Sequence, residues 1–270
     1  MVSDSSDDEG GRYNRYYTDD SDDNNEHDED QTLELAIEKL KLGPKKNKLI
    51  VFGLNGMLIH RAHRRDKSKI PENRRPDGVY NNGNKLVYKR SFLYEFMKFC
   101  LERFEVGLWS SAQEQNVDLV LDCAFKGLKN RFLFVWDQKQ STDTGFKALE
   151  NKRKPLFLKE LSKLHSHLAN SSRGARFSES NTLLIDDDPV KSLCNLGHTG
   201  IFPDTYDPSD SHDNALDPKE ELGKYLEGLA NAEEDDVPTY VKANPFGQPA
   251  IGPDHPNWDF YSRVLRRLKN

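Results

Sequence analysis

Residues 48–58 read KLIVFGLNGML, an apolar run from Leu49 to Phe52 that leaves through Gly53, Asn55 and Gly56. A short run of β-formers bounded by turn residues reads as a strand buried on both faces. Downstream, His60 to Lys89 is polar and holds nine Lys, Arg or His by Arg75, then closes with GVY-NNGN-KLVY, the pattern of a hairpin on an Asn/Gly turn. From Ser91, Phe92, Leu93, Phe96, Met97, Cys100, Leu101 and Phe104 fall on one helical face. Then strands and helices alternate. EVGLWSS predicts a strand, Gln113 to Phe125 a helix ending at Gly127, and FLFVWD a strand. Pro155 to His165 predicts a helix, NTLLIDDDP a strand, GIFP a further short one, and Asp217-Pro218 the start of another helix. Such alternation predicts an α/β fold, a parallel sheet with helices on both faces and a short hairpin flap after the first strand.

Upstream, residues 31–42 carry helical apolar spacing stopped by Gly43-Pro44. The first thirty residues hold twelve Asp or Glu and two Arg, and no aliphatic residue beyond Val2. That composition cannot bury enough surface to offset its ordering entropy. We therefore expect a disordered acidic tail over 1–30, a short helix and linker over 31–45, one domain over 46–251, and an amphipathic C-terminal helix over 252–270. The whole chain carries −6; without the tail it carries +4.

These features exclude several classes. No apolar run approaches the ~18 residues that span a bilayer. The N-terminus has neither a signal-peptide pattern nor the Arg-rich, acid-poor character of a mitochondrial presequence. Three cysteines, Cys100, Cys123 and Cys194, lack metal-ligand spacing and read as free thiols in helical apolar context, which suits a reducing compartment. The expectation is a nuclear or cytoplasmic protein, with the mitochondrion as the alternative.

In a doubly covered parallel sheet, ligands collect outside the carboxyl ends of the strands. There lie Gly53-Leu54-Asn55-Gly56-Met57, Trp109-Ser110-Ser111-Ala112, Asp137-Gln138 and Asp186-Asp187-Asp188-Pro189, with Lys159-Glu160-Leu161-Ser162 between the last two. In this order the motifs resemble the FCP-homology branch (NLI-interacting-factor-like and RNA polymerase II C-terminal-domain phosphatases) of the HAD superfamily. The pair Lys89-Arg90 adds a further likeness, and the resemblance covers most of 46–251. It implies a HAD-like Rossmannoid fold. It also implies that Ser110 and Lys159 hold a phosphate, and that Asp186 and Asp187 help hold Mg²⁺. One motif departs. Where the branch has Asp-x-Asp, this chain has Gly53 and Asn55. The first Asp is the covalent nucleophile and the second the general acid–base. Gly53 has nothing to attack with, and Asn55 has no titratable proton near neutral pH. Loss of a covalent nucleophile elsewhere costs about 10⁶ in turnover. Asp186-x-Asp188-x-Val190 also fits the missing motif, but only 80 residues follow Val190, too few for the remaining strand–helix units.

The expectation is a catalytically impaired pseudophosphatase that binds a phosphorylated or acidic protein segment, with weakened Mg²⁺ affinity and no other cofactor. Two alternatives stand beside it: a residual Mg²⁺-dependent serine/threonine phosphatase, and a preprotein-binding subunit like the receptor of the mitochondrial inner-membrane translocase. Plainer readings exist for each residue. Ser110 and Ser111 suit a polar turn, Lys159 a solvated helix position, and Asp188 the cap of a following turn. His60 and His63 read as a solvated loop, and the basic stretch around them has too few aromatics to favour nucleic acid.

Overall fold

The computed structural model describes residues 46–232 and 236–269. The acidic tail and the helix expected over 31–42 lie outside them. The centre is a five-stranded parallel sheet built from β1 (Leu49–Phe52), β5 (Glu105–Trp109), β6 (Phe134–Trp136), β9 (Thr182–Ile185) and β10 (Gly200–Ile201), in the order β10-β9-β1-β5-β6. Register makes the chemistry converge. Phe52 is level with Leu108 on one side and Ile185 on the other, so Gly53, Ser110 and Asp186 emerge at one edge.

The alternation within β1 decides why both faces are covered, because successive side chains of a strand point to opposite sides. Ile50 and Phe52 join the larger core with α1 (Leu93–Arg103), α2 (Glu114–Ala124), α4 (Glu221–Asn231) and α5 (Val237–Ala243). Leu49 and Val51 face the other way, into a smaller core with Trp109, Trp136 and α3 (Leu161–Leu168). Trp109 and Trp136 meet edge-on, ring centroids 4.7 Å apart.

The expected hairpin is β3 (Gly78–Tyr80) with β4 (Lys85–Lys89), turned through Asn81, Asn82 and Gly83, all at positive φ. Asn and Gly are the residues that tolerate that region, which is why NNG sits there. The segment expected as a solvated loop is a strand instead: β2 (Ile59–His63) pairs with β4 and completes a three-stranded sheet. An isolated hairpin is marginal in water, and a third strand carrying buried Ala62 over buried Tyr88 stabilises it.

A second correction concerns Pro155 to His165. Pro155–Leu158 is β8, paired with β7 (Thr142–Lys147), and the helix begins only at Leu161. Leu156 and Leu158 are buried at period two, then Leu161, Leu164 and Leu168 at helical spacing. Lys159 sits where the period changes, at a strand end rather than on a helix. The helix expected from Asp217-Pro218 starts at Glu221, since Asp217 closes a turn by accepting from the backbone N–H of Lys219 (2.9 Å). Cys100 is buried, but Cys123 is half-buried and Cys194 is exposed outside any helix, so the thiols do not share one environment. Helix α6 (Trp258–Lys269) packs Tyr261 and Val264 against Leu156, Leu158 and Val190.

Candidate functional site

The carboxyl edge of the sheet opens into a cleft of about 180 Å³ whose lining includes Asn55, Arg61, Ser110, Lys159, Asp186 and Asp187. Five of the six residues singled out from sequence therefore face one space. The sixth, Gly53, lies at its floor, held by its N–H donating to the Ile185 carbonyl (2.8 Å).

What lies above Gly53 decides the chemistry. A Cβ added there would stand 2.5 Å from Asp186 Oδ2 and 3.3 Å from Lys159 Nζ. Lys159 and Asp186 are both buried and form an ion pair through that same Oδ2. The volume into which a side chain at position 53 would project is thus filled by the pair. Asp186 Oδ1 accepts from the Asp188 N–H (3.2 Å), so both its oxygens are engaged. Lys159 is set in place by its backbone: its N–H donates to the Lys191 carbonyl (2.8 Å), and its carbonyl accepts from Asn195 Nδ2 (2.9 Å).

Asp187 is placed differently. Its Oδ2 accepts from Thr205 Oγ1 (3.0 Å), and Gly56, at φ +90°, leaves room for the carboxylate that a Cβ would strike. Burial, and then the neighbouring charge of Asp186, push the Asp187 carboxyl up to about 7; the Thr205 bond pulls the other way. Asp188 takes the plainer role. Its side chain accepts from the Val190 N–H (3.1 Å) and caps the turn that Pro189 opens. Asn55 is exposed at the cleft edge. Ser110 is buried, and its Oγ accepts from the Ala112 N–H (3.1 Å).

The residues present do not fit a tight Mg²⁺ site. Asp186 is committed to Lys159 and a backbone N–H, so neither oxygen of this carboxylate is without a partner for a cation that usually takes one or two carboxylates.

Sequence reasoning missed Arg61, Lys154 and Lys191, the other cations of the cleft, as well as Thr205. In the sequence Arg61 reads as one cation of the basic run His60 to Arg75. A signal existed, since a β3–β4 hairpin requires a further strand, and IHRAH beside it was the candidate. Arg90, one of the pair noted in the sequence, is buried. It grips Asp213 through two nitrogens and donates to the Met57 carbonyl (3.1 Å), fixing the loop after β1.

A family profile described as NLI interacting factor-like phosphatase matches residues 48–238. Two solved structures resemble the chain. One is the RNA polymerase II CTD phosphatase Fcp1 of fission yeast bound to beryllium fluoride (15% identity, TM-score 0.39), the other Fcp1 described as an essential RNA polymerase II CTD phosphatase (16%, TM-score 0.39). Each match covers 86% of this chain and 65% of the solved one, so the chain spans just under two thirds of their length. No curated protein matches. No helix among the described residues is long and apolar enough to cross a membrane.

Proposed function

Since the chain belongs to the NLI interacting factor-like phosphatase family, we propose that it keeps the family's cleft without its chemistry and binds a phosphorylated or acidic protein segment there. The observation that carries this reading is the filled space above Gly53, where the buried Lys159–Asp186 pair lies 2.5 Å from the Cβ position. A nucleophile needs a side chain, and the group that would replace it is a carboxylate already neutralised by a lysine. The pair is held by burial, because breaking it would leave a charge without a partner in a low-dielectric site. Phosphatases of this branch typically use Mg²⁺, whereas binding of an anion by cationic and hydroxyl side chains requires no metal.

The cleft nonetheless suits an anion. Ser110, Arg61, Lys154 and Lys191 bring hydroxyl and cationic groups to its walls. The test is twofold. The full chain is assayed for hydrolysis of p-nitrophenyl phosphate in Mg²⁺ beside Asp186→Asn, and for binding of a fluorescein-labelled Gly/Ser peptide carrying one phosphoserine, with its unphosphorylated twin. We expect no turnover above the Asp186→Asn background, together with binding of the phosphorylated peptide alone. Turnover that Asp186→Asn abolishes, or equal behaviour of the two peptides, would overturn the reading.

A second reading, residual phosphatase activity, is favoured by one observation. Asp187 titrates near neutrality within the cleft, the range in which a carboxyl both holds a proton and gives it up to a leaving group. It lacks a nucleophile to work with, so we place it second.

A further inference from the structure

Four cations line the cleft, and three are already engaged. Lys159 is paired with Asp186. Lys191 Nζ donates to the Phe157 carbonyl (3.3 Å) and stands 3.5 Å from Asp188 Oδ2. Lys154 meets Glu150 at 3.4 Å on the rim, where both side chains are mostly exposed. Arg61 differs: its guanidinium makes no hydrogen bond or ion pair with any described residue, yet it is largely withdrawn from water on β2, an edge strand of the flap. An arginine so placed has lost part of its hydration with no protein group supplied in return, and burial alone draws its pKa down.

The lining of the cleft carries a second unsatisfied group. Ser111 lines the same cleft, and its Oγ, itself buried, has no hydrogen-bond partner among the described residues. Native interiors leave few such atoms unpaired, and each calls for an explanation. Arg61, with its five-donor planar cation, and Ser111, with its hydroxyl, both line this one cleft, which is large enough for a small anion. Neither is among the residues that the family resemblance assigns to phosphate.

The geometry points to Arg61 and Ser111 as the anion-recognising pair of this cleft, taking a phosphate monoester dianion on a peptide segment. Arg61 presents its fork to the phosphate oxygens and Ser111 donates its hydroxyl. The inference rests on the binding function proposed above and names the residues that would perform it. It also explains how an anion is held although Lys159 is neutralised. Arginine suits the task because its planar fork matches phosphate oxygens two at a time, which lysine as a point charge does not. A phosphate bound there satisfies both orphaned groups at once, without breaking the Lys159–Asp186 pair.

The test uses the full chain and the same labelled phosphoserine peptide, its unphosphorylated twin and inorganic phosphate, by fluorescence anisotropy and competition. Arg61→Gln is expected to weaken phosphopeptide binding at least about tenfold, Arg61→Lys to restore part of it, and Ser111→Ala to weaken it about threefold to tenfold. The salt slope should flatten in Arg61→Gln, as one ionic contact is lost. In ¹⁵N spectra the Arg61 Nε–Hε resonance should move on adding the phosphopeptide or phosphate and stay still with the twin. Competition by inorganic phosphate identifies the phosphate group as the recognised element; failure of phosphate to compete or to move that resonance would contradict the inference. Phosphopeptide binding that is unchanged in Arg61→Gln and in Ser111→Ala would overturn it while leaving the binding function standing. A wild-type chain that binds neither peptide nor phosphate would overturn both. Should Arg61→Gln unfold, the still or moving Nε–Hε resonance of the wild-type chain decides the matter by itself.

Discussion

A side chain at position 53 and the Lys159–Asp186 pair would claim one small volume, so Gly53 cannot gain a Cβ unless the pair shifts. The loss of the carboxylates at 53 and 55 was legible from residue identity alone. What replaced them was not, because an ion pair across 27 residues of sequence depends on where two strand ends meet. Asp187 offers a direct check of this crowded edge. Unfolded, its carboxyl titrates near 3.8; folded, it is raised to about 7. Between those values the folded chain keeps a proton that the unfolded chain has released. Its contribution to stability therefore falls as pH rises through that window, and the penalty is complete above about pH 7 and absent below about pH 4. Asp187→Asn removes the titration. In metal-free urea unfolding the variant should be more stable than the parent by about 1–3 kcal/mol near pH 8, with the gap closing toward pH 4. Burial also lowers the pKa of His60 and His165, which costs stability as pH falls below about 6.5. Those groups are common to both proteins and cancel in the difference. A gap independent of pH would contradict the placement of Asp187.

At the scale of elements, β8 shows why a short pattern misleads. Four residues, Pro155 to Leu158, satisfy either a strand or the first turn of a helix, and Pro is welcome at both. The choice is made by partners. Thr144 of β7 donates through Oγ1 to the Leu156 carbonyl (2.9 Å), and α6 covers Leu156 and Leu158 with Tyr261 and Val264. Helix α6 itself was legible, since its apolar and basic faces alternate at helical spacing over Asn257 to Leu268. Its target was not. Tyr261→Ala with Val264→Ala should cost about 3–6 kcal/mol, the sum expected for one aromatic and one aliphatic truncation in a packed site. Hydrogen exchange should show β7 and β8 amides losing protection before those of β1 and β5, because this small core is separate from the two that flank the central sheet. Uniform loss across all strands would place α6 in the main cooperative unit instead.

Across the whole molecule, one contact ties together segments that the chain order keeps apart. Arg90 and Asp213, 123 residues apart, form a buried bidentate pair with Nη2–Oδ1 at 2.8 Å. Arg90 also lies over the Tyr206 ring at 5.3 Å, and the Tyr206 N–H donates to the Gly56 carbonyl (2.7 Å). The segment after β10 is thereby buckled to the loop after β1, which floors the cleft. Asp213→Asn should lower stability by about 3–5 kcal/mol at neutral pH, since it leaves the buried guanidinium without its counter-charge. The double variant Arg90→Met/Asp213→Leu should recover much of that in the same unfolding measurement. Equal losses in the single and double variants would show that packing, rather than charge pairing, holds the buckle. By itself the amino-acid order determined the strands of the central sheet and their alternation with helices, because hydrophobic period is a local property. It also determined the missing nucleophile, because a glycine has no side chain in any fold. Tertiary structure alone decided that β8 is a strand, that Lys159 is neutralised by Asp186, and that Arg61 and the Ser111 hydroxyl are left without partners among the described residues. Pairing, burial and electrostatic isolation are relations between distant segments, and they take values only once the sheet brings its strand ends to one edge.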